Sequence, residues 1–377
     1  MSLRIGIVGG SVGGLFAAVL LARHGHQVIV MERARHGLAR RGAGLVVQEQ
    51  VTRILHMVGL PHVAETGVWA NERIVLDLYG NVITRDPRPQ MQMSWDLLYD
   101  GFRKLLPEQL YLTGATVSEI VPSHQSVKAM LADGLTFEFD LLIGADGQGS
   151  IVRNVVNEDA TANIRPDYVG YTAWRGLVAE DAIPRQAADE LFERFAFHFG
   201  KGTQALGYLV PGSNGQIAVG ERRYNWVWYR QLPAQSLSDL LNHAQRTGSL
   251  SLGPGELPLD MREALIADAR SQLPPPFAAA IAAESQPFVQ PIYDYQSSRM
   301  VNRRVVLLGD AAFIARPHTA MGVAKAAADA MALANALASR PVDEALAAYE
   351  RARLPEGRAM VDYGRRLGQS MSESLAH

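Results

Sequence analysis

Near the amino terminus stands Gly9-Gly10-Ser11-Val12-Gly13-Gly14, a glycine-rich loop between an apolar run and a segment of helical spacing. A loop so placed takes pyrophosphate on backbone amides. Gly9 allows the tight turn, Gly14 the close helix–strand packing, and the helix start offers free N–H groups and a positive dipole end. The middle glycine of such a fingerprint is replaced by Ser11, a side chain small enough to keep phosphate near the backbone. Glu32 ends the next apolar run, about 20 residues on, where a carboxylate accepts hydrogen bonds from ribose hydroxyls and repels a 2′-phosphate. The adenosine expected here is therefore that of FAD or NAD rather than NADP. The same six residues also spell G-x-S-x-G, the nucleophile elbow of serine hydrolases, although no HGGG-type oxyanion segment precedes Ser11.

Two further carboxylates stand in matching surroundings. Leu141-Leu142-Ile143-Gly144-Ala145-Asp146-Gly147, followed by Ser150 and Arg153, and Val305-Val306-Leu307-Leu308-Gly309-Asp310 each run from an unalternating apolar segment into Gly and Asp. Strands buried on both faces of a parallel sheet read this way, and ligands of open α/β sheets bind at their carboxyl ends. One such aspartate alone is explained as a helix cap. Two of them, combined with the amino-terminal loop, point to a polyol or phosphate ligand.

The elements that must hold these residues follow from periodicity. Residues 3–8, 15–23 and 27–31 read as a βαβ opening. From about Tyr168 to Tyr229 apolar and polar residues alternate, which implies an antiparallel sheet with one covered face. Helices are expected at about 322–338 and 343–368, the first Ala-rich on nearly all sides and so buried, and Pro274-Pro275-Pro276 reads as a helix boundary. The fold class is α/β: a Rossmann-like dinucleotide-binding domain expected over residues 1–70, 95–160 and 296–377, with an inserted antiparallel-sheet domain expected over 71–94 and 161–295.

A chain of 377 residues with net charge −2 has no field that would gather nucleic acid or an anionic membrane surface, and small-molecule partners are expected. The absence of cysteine removes disulfides, thiolate nucleophiles and Cys-ligated metals. The ten histidines show no HExxH spacing, so no metal is expected, and the apolar stretch 15–22 is too short to span a bilayer. A cytoplasmic location is the plain reading.

With these three motifs the sequence resembles the class A FAD-dependent aromatic monooxygenases across nearly its whole length. "WRGLV" at 174–178, "RRYNWVWYR" at 222–230, "SWDLLYDGF" at 94–102 and "GDAAFIARPHTAMGVAKAAADAMALANAL" at 309–337 are similar to its 2,6-dihydroxypyridine hydroxylase-like branch. The resemblance implies an aromatic hydroxylase fold, bound FAD, and hydroxylation of a small electron-rich aromatic or N-heteroaromatic via a flavin hydroperoxide. NADH or NADPH and O₂ are the implied co-substrates, and a homodimer stays open. It further implies that Asp310 holds the ribitol, that Asp146 and Gly147 line the pyrophosphate and nicotinamide side, and that Gly309 binds the cofactor beside Asp310. Pro317 would face the flavin edge, with Met321, Gly322 and Val323 opening the helix beneath the pyrimidine ring. Arg33, Arg41 and Gln48 would follow the adenosine and pyrophosphate path. His318, in the pKa range of a general base, would take the substrate's phenolic proton. Trp174, Phe197 and Phe199 would stack on the ring, with Tyr208 and Val210 where the 4-hydroxybenzoate branch binds a carboxylate. Two departures stand out, Ser11 for the usual second glycine and Phe313 where many members have His. A flavin oxidoreductase or epoxidase of the same fold is the alternative.

Ser11 separates the hydrolase from the flavoenzyme. As a nucleophile it would lose roughly 10⁴-fold or more in rate on replacement. In a phosphate loop Ser11→Gly keeps every backbone donor, so flavin retention and substrate-stimulated NAD(P)H oxidation are expected to stay near wild type.

Overall fold

The computed structural model describes residues 2–38, 44–157 and 164–369. Its first layer is a six-stranded sheet in the spatial order 301–302, 305–307, 141–144, 4–8, 27–32, 111–113, parallel apart from the edge strand Val301–Asn302. The first strand, β1 (Arg4–Val8), is buried from Ile5 onward and lies between β2 (Gln27–Glu32) and the strand Leu141–Gly144. The chain moves outward through β2 and later returns to the other side of β1, so the sheet reverses direction there. The crevice at its carboxyl ends is the ligand position of an open α/β sheet.

Helix α1 (Val12–Arg23) fills the face above β1 and is buried from Gly14 to Leu21. It crosses the helix Gly322–Ser339, where small residues permit close approach: a Cβ on Gly13 would lie 3.3 Å from Leu308 and 3.4 Å from Ala326. The Ala-rich helix is covered in turn by the long helix Val342–Leu367, which explains burial on most of its sides.

The second layer is an eight-stranded sheet in the order 313–314, 288–296, 167–179, 223–231, 203–210, 194–200, 72–76, 82–86. Because side chains alternate along a strand, its two faces separate by parity. Trp174, Tyr224, Trp226 and Trp228 share a core with the helices Ala234–His243, Leu259–Gln272 and Pro275–Ala283. Tyr171, Arg175, Tyr208 and Tyr229 belong to the opposite face. A three-stranded sheet, β3 (Gly44–Val46) with Gln90–Ser94 and Val68–Ala70, lies against that opposite face: Val46 packs with Tyr208, Phe195 and Phe197. No helix among the described residues is long and apolar enough to cross a membrane.

Trp228 is fully buried and donates its indole N–H to Thr203 Oγ1 at 2.6 Å. Trp228→Ala is expected to cost about 3–5 kcal/mol, the usual range for an emptied aromatic site. Urea unfolding followed by far-UV circular dichroism measures it.

Candidate active site

The glycine loop is held open from three sides. Gly9 adopts φ +101°, donates its N–H to Met31 O at 2.9 Å, and has no room for a Cβ, which would collide with the Ala145 carbonyl. A Cβ on Gly14 would collide with the Gly9 carbonyl, so α1 starts tight against the turn. Ser11 is the N-cap residue of α1 and makes no side-chain cap, and Val12 is buried beside it. Glu32 Oε2 accepts the Gly10 N–H at 2.7 Å, and Glu32 Oε1 accepts the Ala34 N–H at 2.8 Å. The carboxylate therefore shapes the loop, and its further lone pairs are what a ribose would meet. Tyr111 closes the back, donating to Gly10 O at 2.9 Å with its hydroxyl 3.1 Å from that of Tyr99.

The two acidic turns differ in what their carboxylates do. Asp146 is spent on the next helix, accepting from Ser150 Oγ (2.5 Å), Ile151 N (2.8 Å) and Val152 N (3.3 Å), so it caps Val152–Val156. Gly147 beside it takes φ +74° with open space around its Cα. Asp310 keeps 42% side-chain exposure and accepts the Lys325 ammonium at 2.9 Å on Oδ1. Lys325 is itself buried and also donates to Phe313 O. Gly309, at φ +62°, donates its N–H to Asp329 Oδ2, and Arg353 holds the other oxygen of Asp329 at 2.7 Å. Arg153, fully buried, joins the two turns: Nε donates to Ala311 O, Nη1 to Gln148 O, and Nη2 to Asp310 O and, at 3.4 Å, to Gly147 O.

Beyond them the loop 315–321 runs to the helix Gly322–Ser339. Pro317 opens a one-turn 3₁₀ helix, and Ala320 sits in the left-handed region at φ +53°. Gln48 reaches this loop, donating to Ala320 O at 2.7 Å. Met321 is the N-cap residue, and Gly322 and Val323 begin the helix with nothing within 4 Å of a Cβ on Gly322. His318 Nε2 lies 3.0 Å from the Tyr171 hydroxyl, with the Tyr229 ring centroid 4.3 Å away. Burial, assisted by the Arg316 charge, drives its pKa down to about 4, and burial pushes the Tyr171 hydroxyl up to about 12. Arg316 is neutralised by a two-pronged pair with Asp294.

These residues fit FAD. The loop excludes side chains where phosphates must approach, Asp310 presents a half-exposed carboxylate, and an uncovered helix start faces the same side. The profile described as FAD binding domain matches residues 2–192 and 262–363, and one described as FAD binding domain-like matches 168–294. The chain belongs to the FAD binding domain family and is a class A flavoprotein hydroxylase. It is similar to 2,6-dihydroxypyridine 3-monooxygenase of Paenarthrobacter nicotinovorans, 29% identical over 95% of this chain and 89% of the relative. It is likewise similar to 3-amino-4-hydroxybenzoate 2-monooxygenase of Streptomyces cremeus, 29% identical over 97% and 87%. Among solved structures, 2,6-dihydroxypyridine-3-hydroxylase from Arthrobacter nicotinovorans superposes with a TM-score of 0.91, 28% identity, and coverage of 99% of this chain and 93% of that one.

In this hydroxylase the serine-hydrolase reading of Ser11 has no support, since no histidine or carboxylate among the described residues is hydrogen-bonded to its hydroxyl. Three expectations about the ring pocket need correction. Trp174 faces the helix-covered core, because its even position in the strand Asp167–Ala179 points away from His318. Phe199 is 57% exposed near the sheet end. His318 is a weak proton acceptor, because burial and the Arg316 charge push its pKa down to about 4, and its Nε2 already faces the Tyr171 hydroxyl. Phe197, Tyr208 and Val210 do gather on the pocket-side face with Val46 and Ala70. Arg33 is exposed, and Arg41 lies outside the described residues. The departure at Phe313 has a packing reason: its ring fills the space beside Gly357, where a Cβ would collide with it. Sequence reasoning missed Tyr111, Lys325, Asp329 and Asn225. Only Lys325 and Asp329 carried a signal, as the charged residues of an otherwise uncharged Ala-rich helix.

Arg153→Met leaves buried carbonyls of both turns without a donor, at about 1–3 kcal/mol each. A loss of at least about 3 kcal/mol is expected in denaturant unfolding of apoprotein and holoprotein alike. Asp310→Ala is expected to weaken FAD retention by about 1.5–3 kcal/mol, read by flavin release on dilution, and to lower apoprotein stability as well, because it leaves the buried Lys325 ammonium without its carboxylate.

Proposed function

We propose that this hydroxylase acts in the cytoplasm on a small electron-rich N-heteroaromatic ring of the hydroxypyridine type, with a phenol as the nearest alternative. The likeness to a 2,6-dihydroxypyridine 3-monooxygenase over nearly the whole of both chains carries the reading. The pocket-side face agrees with it: Tyr171, Tyr208 and Tyr229 present neutral hydroxyls over a largely apolar floor, all raised by burial. FAD, when bound, supplies the acceptance of electrons from NADH or NADPH and the activation of O₂.

The protein's part is placement, dryness and charge. Gly322 and Val323 turn the amino end of their helix, with its free N–H groups, toward the cradle, which favours negative charge at that spot. The buried Arg316–Asp294 pair fixes the loop that carries Pro317 and His318, and the sheet closes the opposite side against water. His318 and Tyr171 form a neutral pair that orients the ring rather than removing its proton. With one glycine-rich dinucleotide loop in the chain, the nicotinamide nucleotide is taken to visit a surface groove transiently, and a homodimer is compatible with the reading.

The test of function is a screen of NADH and NADPH oxidation against 2,6-dihydroxypyridine, other hydroxypyridines and phenols, with product mass. A mass gain of one oxygen on a hydroxypyridine is expected. Oxidation without oxygen transfer to any ring would overturn the reading. For His318, the folded pKa near 4 lies below the unfolded value near 6.5, so between these pH values only the unfolded chain gains a proton. Stability is therefore complete above about 6.5 and falls as pH drops toward 4, a slope that His318→Gln should flatten in pH-dependent unfolding. The same variant is expected to lose less than about tenfold in kcat/KM, whereas a general base contributes about 10²–10⁴-fold.

A further inference from the structure

Arg175 sits midway along the strand Asp167–Ala179, opposite Val227 and Phe288, on the face that carries Tyr171 and Tyr229. Its Nη1 donates to Gln290 Oε1 at 3.0 Å, and the guanidinium lies 5.8 Å from the Phe288 ring. Its Nε is buried and has no hydrogen-bond partner. Among the described residues no carboxylate pairs with it, whereas Arg316 has Asp294 and Arg353 has Asp329; Arg153 also lacks a carboxylate but donates from all three of its nitrogens to carbonyls, and Arg316 keeps one unpartnered nitrogen, Nη1, beside its ion pair. A guanidinium stays charged at any working pH, and a half-buried charge without a counter-ion is costly.

The groups around it offer more donors than acceptors. Asn225 is fully buried on the neighbouring strand; its Oδ1 accepts the Gly44 N–H at 3.2 Å, and its Nδ2 has no partner. Gln92, also fully buried, has neither amide atom bonded, and it stands opposite Val46, which packs on Tyr208. The titratable groups facing Arg175 are Tyr208 from the strand Thr203–Val210, Tyr229 from Arg223–Gln231, and Tyr171 from its own strand, with His318 at the loop beyond Tyr229. All are neutral near pH 7, and the buried Glu284 carboxylate is bonded at 2.7 Å to the Leu177 N–H, two residues along the strand, rather than to the guanidinium.

We infer that Arg175, with the Asn225 amide beside it, is a specificity-determining residue that binds the ring substrate as its oxyanion. The inference rests on the ring-hydroxylation reading and adds the substrate's protonation state. The ring O–H gives its proton to bulk water before or on entry, the oxygen keeps the electron pair, and that anion is held by the guanidinium. A ring so ionised is already electron-rich and needs no general base beside it: the site selects the ionised substrate instead of making it.

The test measures binding to holoenzyme without reductant, by perturbation of the flavin absorbance, with 2,6-dihydroxypyridine, salicylate and neutral phenol as probes across pH. In wild type, affinity for 2,6-dihydroxypyridine is expected to fall by about tenfold per pH unit below that probe's own first ionisation, read from its ultraviolet spectrum. Arg175→Gln is expected to weaken binding of the anion by about 10- to 100-fold and to flatten the pH dependence, while leaving binding of phenol and FAD occupancy unchanged. Arg175→Lys should keep the pH dependence at reduced affinity. Anion binding by Arg175→Gln close to wild type, or wild-type affinity indifferent to the probe's ionisation, would overturn the inference. If Arg175→Gln does not fold, the wild-type pH dependence and Arg175→Lys decide. If salicylate, whose charge lies on its carboxylate, binds in an Arg175-dependent way and hydroxypyridines neither bind nor react, the N-heterocycle reading and the ring-oxyanion inference both fall. Turnover of a hydroxypyridine with pH-indifferent affinity leaves that reading and removes this one.

Discussion

A single buried guanidinium holds the cofactor end of this molecule together. Arg153 has no contact with water and no carboxylate directly on it, and it spends its donors on carbonyls of two loops more than 150 residues apart in the chain, while its plane lies 4.0 Å from the Tyr295 ring of the large sheet. A rigid fork of donors suits this role, since each N–H finds a separate carbonyl without side-chain rearrangement. The consequence is geometric. The turns carrying Asp146 and Asp310 hold one spacing, and the sheet that floors the ring pocket is tied to both through Tyr295.

Around that anchor, each charged group of the site is assigned by its neighbours. Asp146 and Asp310 follow the same kind of sequence, yet one caps a helix and the other stays half open beside a buried ammonium. Glu32 is bonded to two backbone amides and acts on the loop before it acts on a ligand. Asp329 and Arg353 support the Gly309 turn from behind, so the long carboxyl-terminal helix contributes to the cofactor cradle without approaching it. Such pairs offset their desolvation only when further hydrogen bonds satisfy the remaining atoms, as the Gly309 N–H does for the second oxygen of Asp329.

The large sheet divides labour by parity. Its even positions in the strand Asp167–Ala179 feed an aromatic core under three helices, and its odd positions face the loop 315–321 and β3. Stability and recognition are thereby placed on opposite sides of one backbone, and a one-residue register slip would exchange them.

The βαβ opening, the glycine loop, both acidic turns and the last two helices were legible in the sequence, because each depends on local periodicity and on backbone conformations only glycine adopts easily. The match of Phe313 to Gly357, the neutral state of His318 and the turning of Trp174 away from the ring were not. Each depends on which surface another segment covers, and the covering segments lie 44 to well over 100 residues away. Local spacing sets what an element is, whereas burial and hydrogen-bond partners from distant strands decide which face it shows and which protonation state it keeps. The chemistry class was thus written in the motifs, and the charge and orientation of the pocket were decided only when the two sheets packed together.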